Sequence, residues 1–173
     1  MTDRSPIKTT NLDRYGYPPL PWSRPHDLLV DGPEQPGTSF FLATVRPDGR
    51  PHVAAIGVYW HDGDLYFTCG PGTRKARNLA ANAACVISIA LKGIDLVLEG
   101  DATRVDDPDL VETVIVKFRD GGWPAEVKDG RIVGPYSAPT AGSPPWDMYR
   151  FRFHTGFGVA TAEPYGGTRW TFN

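Results

Sequence analysis

Cysteine is scarce in these 173 residues, with only Cys69 and Cys85, and neither belongs to a CxxC or Cys/His spacing. A disulfide scaffold, a zinc finger and a dithiol redox centre therefore have no basis, and both thiols read as buried side chains within strand-like runs. No excess of one charge is present either: 18 basic residues face 20 acidic ones, a net charge of −2. With no global field to recruit nucleic acid or an anionic membrane, any anion must be held locally. No stretch approaches the ~18 consecutive apolar residues of a membrane span, and Met1–Pro6 lacks the apolar run of an export signal. The expectation is a soluble cytoplasmic protein without nucleic-acid or membrane partners. The serines Ser39, Ser88 and Ser137 lack a G-x-S-x-G elbow, and His52, His61 and His154 show no ligand spacing, which removes hydrolase chemistry and a metal centre from consideration. No internal repeat occurs.

Proline, by contrast, is concentrated: residues 1–38 hold seven of the seventeen, in phrases such as Tyr17-Pro18-Pro19-Leu20-Pro21-Trp22. Such a stretch reads as an irregular arm, and its aromatics imply that it lies against the rest of the protein or a partner subunit. From Ser39 strands begin. Ser39–Arg46 and Pro51–Trp60 flank Pro47-Asp48-Gly49-Arg50 as a hairpin, and His61-Asp62-Gly63-Asp64 turns into Leu65–Cys69. Ala84–Leu91 and Asp95–Val105 form a further pair around Lys92-Gly93-Ile94, while Met148–His154 alternates Tyr149, Phe151 and Phe153 against Arg150, Arg152 and His154. Two helices are predicted. One covers Thr73–Ala81 with Thr73 as N-cap; the other starts at the Asp107 cap with Pro108 in the first position and stops at Gly121-Gly122. The Pro/Gly-rich excursion from Gly122 to Trp146 is of a length that usually serves function or a partner. Residues 39–173 are thus expected to form one domain behind the arm.

The chemistry is concentrated in Tyr66-Phe67-Thr68-Cys69-Gly70-Pro71-Gly72-Thr73-Arg74-Lys75-Ala76-Arg77-Asn78-Leu79, a strand passing through a Gly-Pro-Gly loop into a helix start. Unpaired backbone N–H groups, glycines that admit an oxyanion and the Thr73 hydroxyl make this an anion trap. Arg74 and Lys75 oppose the helix dipole at about 0.3–1 kcal/mol each, an arrangement that a bound phosphate would reverse. The competing reading is a pair of solvated charges on a surface helix.

This order of strand, Phe67-Thr68, glycine loop and Thr73-Arg74-Lys75-Ala76 resembles the pyridoxamine 5′-phosphate oxidase superfamily, and Lys75-Ala76-Arg77-Asn78-Leu79 resembles the Lys-x-Arg-Asn-Leu phrase of its flavin/deazaflavin oxidoreductases. The similarity runs over residues 38–173, to the C-terminal Gly166–Phe172. It implies a mainly β fold, a six-stranded antiparallel split barrel with flanking helices, assembled as a homodimer. The implied cofactor is coenzyme F420, with FMN as the alternative. Cofactor contacts are implied for Arg74 and Lys75 at the phosphate, with Thr73, Asn78 and Thr68 nearby, and for the strand His52, Val53, Ala54, Ala55, Ile56 and Gly57 along the ribityl chain and ring. Arg77, with Arg14 and Arg24 of the arm, is a candidate for the acidic tail that distinguishes F420, and Trp170 is the candidate tryptophan at the ring. Two departures matter. Thr168-Arg169-Trp170-Thr171-Phe172 replaces the Arg-x-His-Asp-Arg phrase that holds the vitamin in the oxidases, so pyridoxamine phosphate oxidation is not expected. Asp95 falls where FMN enzymes place a glutamine, which favours F420. The implied activity is hydride transfer between cofactor and a small organic substrate; a non-catalytic flavin, F420 or haem binder is the other class.

Overall fold

The computed structural model describes residues 4–31 and 38–173; residues 1–3 and 32–37 of the predicted arm lie outside the described residues. Eleven strands and three helices follow one another as β1 (Lys8–Asn11), α1 (Ser23–Val30), β2 (Ser39–Val45), β3 (Pro51–Ile56), β4 (Val58–His61), β5 (Asp64–Cys69), α2 (Arg74–Ala81), β6 (Ala84–Leu91), β7 (Ile94–Arg104), α3 (Pro108–Asp120), β8 (Glu126–Lys128), β9 (Arg131–Val133), β10 (Asp147–Ala160) and β11 (Gly167–Thr171).

The predicted strand Pro51–Trp60 is in fact two, because the chain breaks at Gly57: β3 pairs with β2, and β4 turns away to pair with β5. That break closes the barrel. Counting β3 and β4 as one bent ribbon, pairing runs β2 to β3/β4, β5, β10, β7, β6 and back to β2, six antiparallel strands around one core. The mainly β split barrel expected from the sequence is the fold observed, with β1 and β11 added beside β10. Alternation does the rest: on β2, β6, β7 and β10 every second side chain, including Leu42, Ile87, Leu98 and Phe151, points into the core.

Strand β10 carries the largest departure from expectation. Its predicted end was His154, yet it continues past a bulge between Phe153 and Thr155 to Ala160. Gly156 and Gly158 make room for a ring: a Cβ on Gly158 would lie 2.6 Å from Trp170. Trp170 is fully buried and its indole N–H donates to the Leu20 carbonyl at 3.2 Å.

Both predicted barrel-flanking helices form, with Thr73 and Asp107 as N-caps. The stretch read as irregular chain also holds a helix, α1, since Pro25 falls in its first turn, where a missing N–H is tolerated. Leu20, Trp22 and Leu29 of this stretch join the barrel core. Arg4 is pinned by a 3.0 Å ion pair to buried Asp64, which also accepts from Arg150 at 2.6 Å.

Candidate functional site

Strand β5 delivers the chain at the rim of the barrel, and the Gly70–Thr73 loop turns it into α2. Thr73 sits in extended backbone; its hydroxyl donates to the Gly70 carbonyl at 2.8 Å and accepts from the Ala76 N–H at 3.4 Å. The sequence reading gave that hydroxyl to a phosphate as a donor, but its proton is already used to hold the loop. The first-turn backbone N–H groups and the side chains of Arg74 and Lys75 remain as the donors of this corner.

These residues wall a cleft of ≈ 550 Å³ between α2, β3 and the 134–142 strap, lined by His52, Val53, Ala54 and Ala55 on one side and Thr73, Arg74, Lys75, Pro139, Thr140 and Gly142 on the other. Among the described residues no carboxylate lines it. Arg74 is exposed, whereas Lys75 is only 5% exposed and its ammonium donates to the Thr140 carbonyl at 3.4 Å. One long hydrogen bond is little for a buried group with three donors, so the ammonium has donor capacity left for an anion in the cleft. The strap is held against the loop by Gly70, whose N–H donates to the Ala141 carbonyl at 2.8 Å and whose missing Cβ would sit 2.7 Å from that oxygen.

The electrostatics agree. Partial burial, then the charges of Arg46, Arg74 and Lys75, holds the His52 imidazole below its ordinary pKa. Nδ1 of His52 and Nε of Arg46 are buried without hydrogen-bond partners among the described residues. A cation-rich corner with unmet polar atoms suits a phosphate group, and the donor set fits the phosphate of a flavin-type cofactor.

A second hollow, ≈ 240 Å³, continues from the first and includes Ile56, Gly57 and Thr68. Of the sequence-nominated residues, the run His52–Gly57, Thr68, Thr73, Arg74 and Lys75 is therefore brought together around one groove. Others are not. Asn78 is 2% exposed and donates to the buried Thr44 hydroxyl at 2.9 Å, which makes it a tie between α2 and β2. Arg77 is exposed one turn beyond Arg74, outside the groove lining. Trp170 must be corrected outright: it is a core residue among Trp22, Gly156 and Gly158, and lines neither hollow. Arg24 does not reach the groove either, because its guanidinium donates to the carbonyls of Gly93, Ala162 and Pro164. Arg14 and Asp95 are absent from the lining as well. What sequence reasoning missed is the strap and the aromatic wall of Tyr59, Phe118, Trp123 and Tyr136; the length of the Gly122–Trp146 excursion was the available signal.

Comparison with known proteins places this geometry. Among curated proteins no sequence matches. Among solved structures, an F420 reductase is 26% identical, with 74% of this chain and 92% of that chain covered and a TM-score of 0.51. A pyridoxamine 5′-phosphate oxidase-related, FMN-binding protein from Nostoc punctiforme is 19% identical over 78% of this chain and 87% of its own, with a TM-score of 0.52. General Stress Protein 26 from Bacillus anthracis is 16% identical over 79% and 94%, with a TM-score of 0.54. The family model described as pyridoxamine 5′-phosphate oxidase matches residues 34–140, from just before β2 to the strap over the cleft. A match that takes in most of the barrel and both walls of the groove is more than a shared architecture, and this chain is a member of the pyridoxamine 5′-phosphate oxidase family.

Proposed function

We propose that the protein is an F420-dependent oxidoreductase that transfers a hydride between the bound deazaflavin and a small organic substrate. The observation that carries this reading is the buried Lys75 ammonium, placed beside Arg74 at the start of α2 in a cleft that no carboxylate among the described residues lines. When bound, the cofactor supplies the hydride chemistry; the protein supplies position and electrostatics. Arg74, Lys75 and the first-turn N–H groups would hold the phosphate, and β3 from His52 to Gly57 would run along the ribityl chain and ring. Arg77, at the i+3 position from Arg74 on the exposed side of α2, is suited to meet the acidic tail that continues beyond the F420 phosphate. Its likeness to an F420 reductase supports the same choice. An FMN-dependent reaction on the same groove is the second reading, supported by the FMN-binding neighbour.

The reading includes a homodimer in the cytoplasm. Across the outer face of β2, β3, β6, β7 and β10, the register aligns Ala55, Phe41, Ser88, Val97 and Phe157 in one row and Val53 beside Ala43 in the next. Phe41 is 44% and Val53 59% exposed, an apolar strip next to the cleft that a second copy would cover. Cys69 and Cys85 are unpaired, in keeping with a reducing compartment.

Equilibrium binding of F420 and FMN to the same protein tests the choice. F420 binds more tightly and loses affinity when its glutamyl tail is removed; tighter FMN binding overturns the preference.

A further inference from the structure

The two hollows of the groove share Ala55, Lys75 and Thr140, and across that junction the Lys75 ammonium donates to the Thr140 carbonyl at 3.4 Å. The strap that carries Thr140 is fastened on either side of it. Before it, the Trp123 indole N–H donates to the Tyr136 carbonyl at 2.5 Å, and the Tyr136 hydroxyl donates to the Gly122 carbonyl at 3.3 Å. After it, the Ala141 carbonyl accepts from the Gly70 N–H at 2.8 Å and the Gly142 carbonyl accepts from the Trp146 indole at 2.9 Å. Between these anchors lie Ser137, Ala138, Pro139 and Thr140, the last three exposed. Their own turn is closed by the Ala141 N–H on the Ala138 carbonyl at 2.8 Å. Among the described residues, the Lys75 ammonium is the one hydrogen-bond donor that ties this stretch to the facing wall. A stretch pinned at both ends with a single tie in the middle moves as a small flap.

We infer that the contact between Lys75 and Thr140 is a latch that an anion releases: a phosphate group entering the cationic cleft draws the ammonium to itself, the 137–140 flap moves off the groove, and the passage between the two hollows widens. The chemistry of the tie sets the direction. At 3.4 Å a bond to a neutral carbonyl is weak, whereas phosphate oxygens form short charge-assisted bonds to an ammonium. Oxygens of both kinds gathered on one ammonium repel each other, and the weaker acceptor yields. The anion therefore binds the released state better than the latched one, which is what shifts the population between them. A consequence for binding order rests on the proposed function: the phosphate end of the cofactor engages first and its ring follows, while a ring without a phosphate meets the latched flap. The latch itself stands on the geometry.

The flap is read by electron paramagnetic resonance of a nitroxide attached through Ala138→Cys; Ala138 is exposed, and Cys69 and Cys85 are buried and do not compete for the label. Titration with inorganic phosphate at constant ionic strength is expected to shorten the rotational correlation time of the label at least twofold and saturably. A label attached through Val116→Cys, on the exposed side of α3, stays unchanged. Lys75→Met shows the fast motion from the start and does not respond to phosphate; Arg74→Ala begins latched and needs at least threefold more phosphate. A label that ignores phosphate or slows with it overturns the inference, as does an equal response in Lys75→Met. The binding order is read by equilibrium dialysis of 5-deazariboflavin, which has the ring and ribityl chain without a phosphate. Inorganic phosphate raises its affinity at least threefold, an effect that Lys75→Met abolishes; an affinity indifferent to phosphate overturns the widening of the passage. Calorimetry of F420 and FMN reports separately on the proposed function, so a latch that fails and a cofactor that fails to bind are told apart.

Discussion

The Lys75 ammonium reaches across the cleft to the Thr140 carbonyl at 3.4 Å, so the first turn of α2 and the strap meet at a buried cation. An anion that enters the cleft takes over that ammonium from a weak neutral acceptor.

Removal of the cationic corner is the direct consequence to measure. Charge-assisted hydrogen bonds contribute about 1.5–3 kcal/mol each, so Arg74→Ala with Lys75→Met is expected to weaken cofactor binding by about 3–6 kcal/mol in titration calorimetry. The melting temperature of the free protein should change little, because methionine fills the volume of the buried lysine stem. Unaltered affinity in this double variant would mean that the cleft does not hold a phosphate.

The pH dependence has a definite sign. His52 has its pKa lowered in the folded protein by desolvation, Arg46, Arg74 and Lys75, so between that value and the ordinary 6.5 the unfolded chain binds more protons than the folded one. Stability is therefore full above pH 6.5 and declines as pH falls through 6.5 toward the folded value, and His61, lowered chiefly by desolvation, acts in the same direction. A bound phosphate dianion brings the opposite charge to His52 and raises its pKa, so binding takes up protons on the acid side of neutrality. Calorimetry in buffers of different ionisation enthalpy measures that uptake, which His52→Gln should reduce.

Asn78 tests structure against ligation. Its amide donates to the Thr44 hydroxyl at 2.9 Å with both residues buried, so Asn78→Ala leaves that hydroxyl only its own 3.4 Å bond to the His52 carbonyl, at a cost of about 0.5–1.5 kcal/mol. Thermal unfolding is expected to shift down by several degrees. Conversion to a ligand contact would show instead as a loss of cofactor affinity with an unchanged melting temperature.

Trp170 and Gly158 form a matched pair in the core. Trp170→Ala opens a cavity and is expected to cost about 3–5 kcal/mol. Gly158→Ala drives a methyl group into the same indole, at a cost of about 1–3 kcal/mol. Chemical denaturation reads both, and neither variant should alter the local geometry of the cationic cleft.

By itself the sequence determined whatever depends on near neighbours. Strand-like runs bounded by turn residues mark β2, β6 and β7, and period-2 alternation marks the first half of β10; Asp62-Gly63 marks a tight turn whose residues indeed take positive φ of 47° and 88°; the Thr73 and Asp107 caps mark α2 and α3. The loop-to-helix passage with Arg74 and Lys75 was legible for the same reason, since glycines, a cap and cations in one turn are local chemistry. Tertiary structure alone decided the rest. Gly57 breaks a ribbon that reads as one strand, because only the closed barrel asks its two halves to pair with different partners. Gly156 and Gly158 lie beyond the predicted strand end at His154, and the Trp170 ring laid across them accounts for two glycines inside a strand. Trp170 and Asn78 have side chains that serve equally in a core or at a ligand, and burial against Leu20 and Thr44 assigns both to packing. The aromatic hollow unites residues from β4, α3 and the strap, which no local pattern connects. Its existence depends on which distant surfaces the barrel brings within contact, and a one-dimensional pattern does not carry that distance.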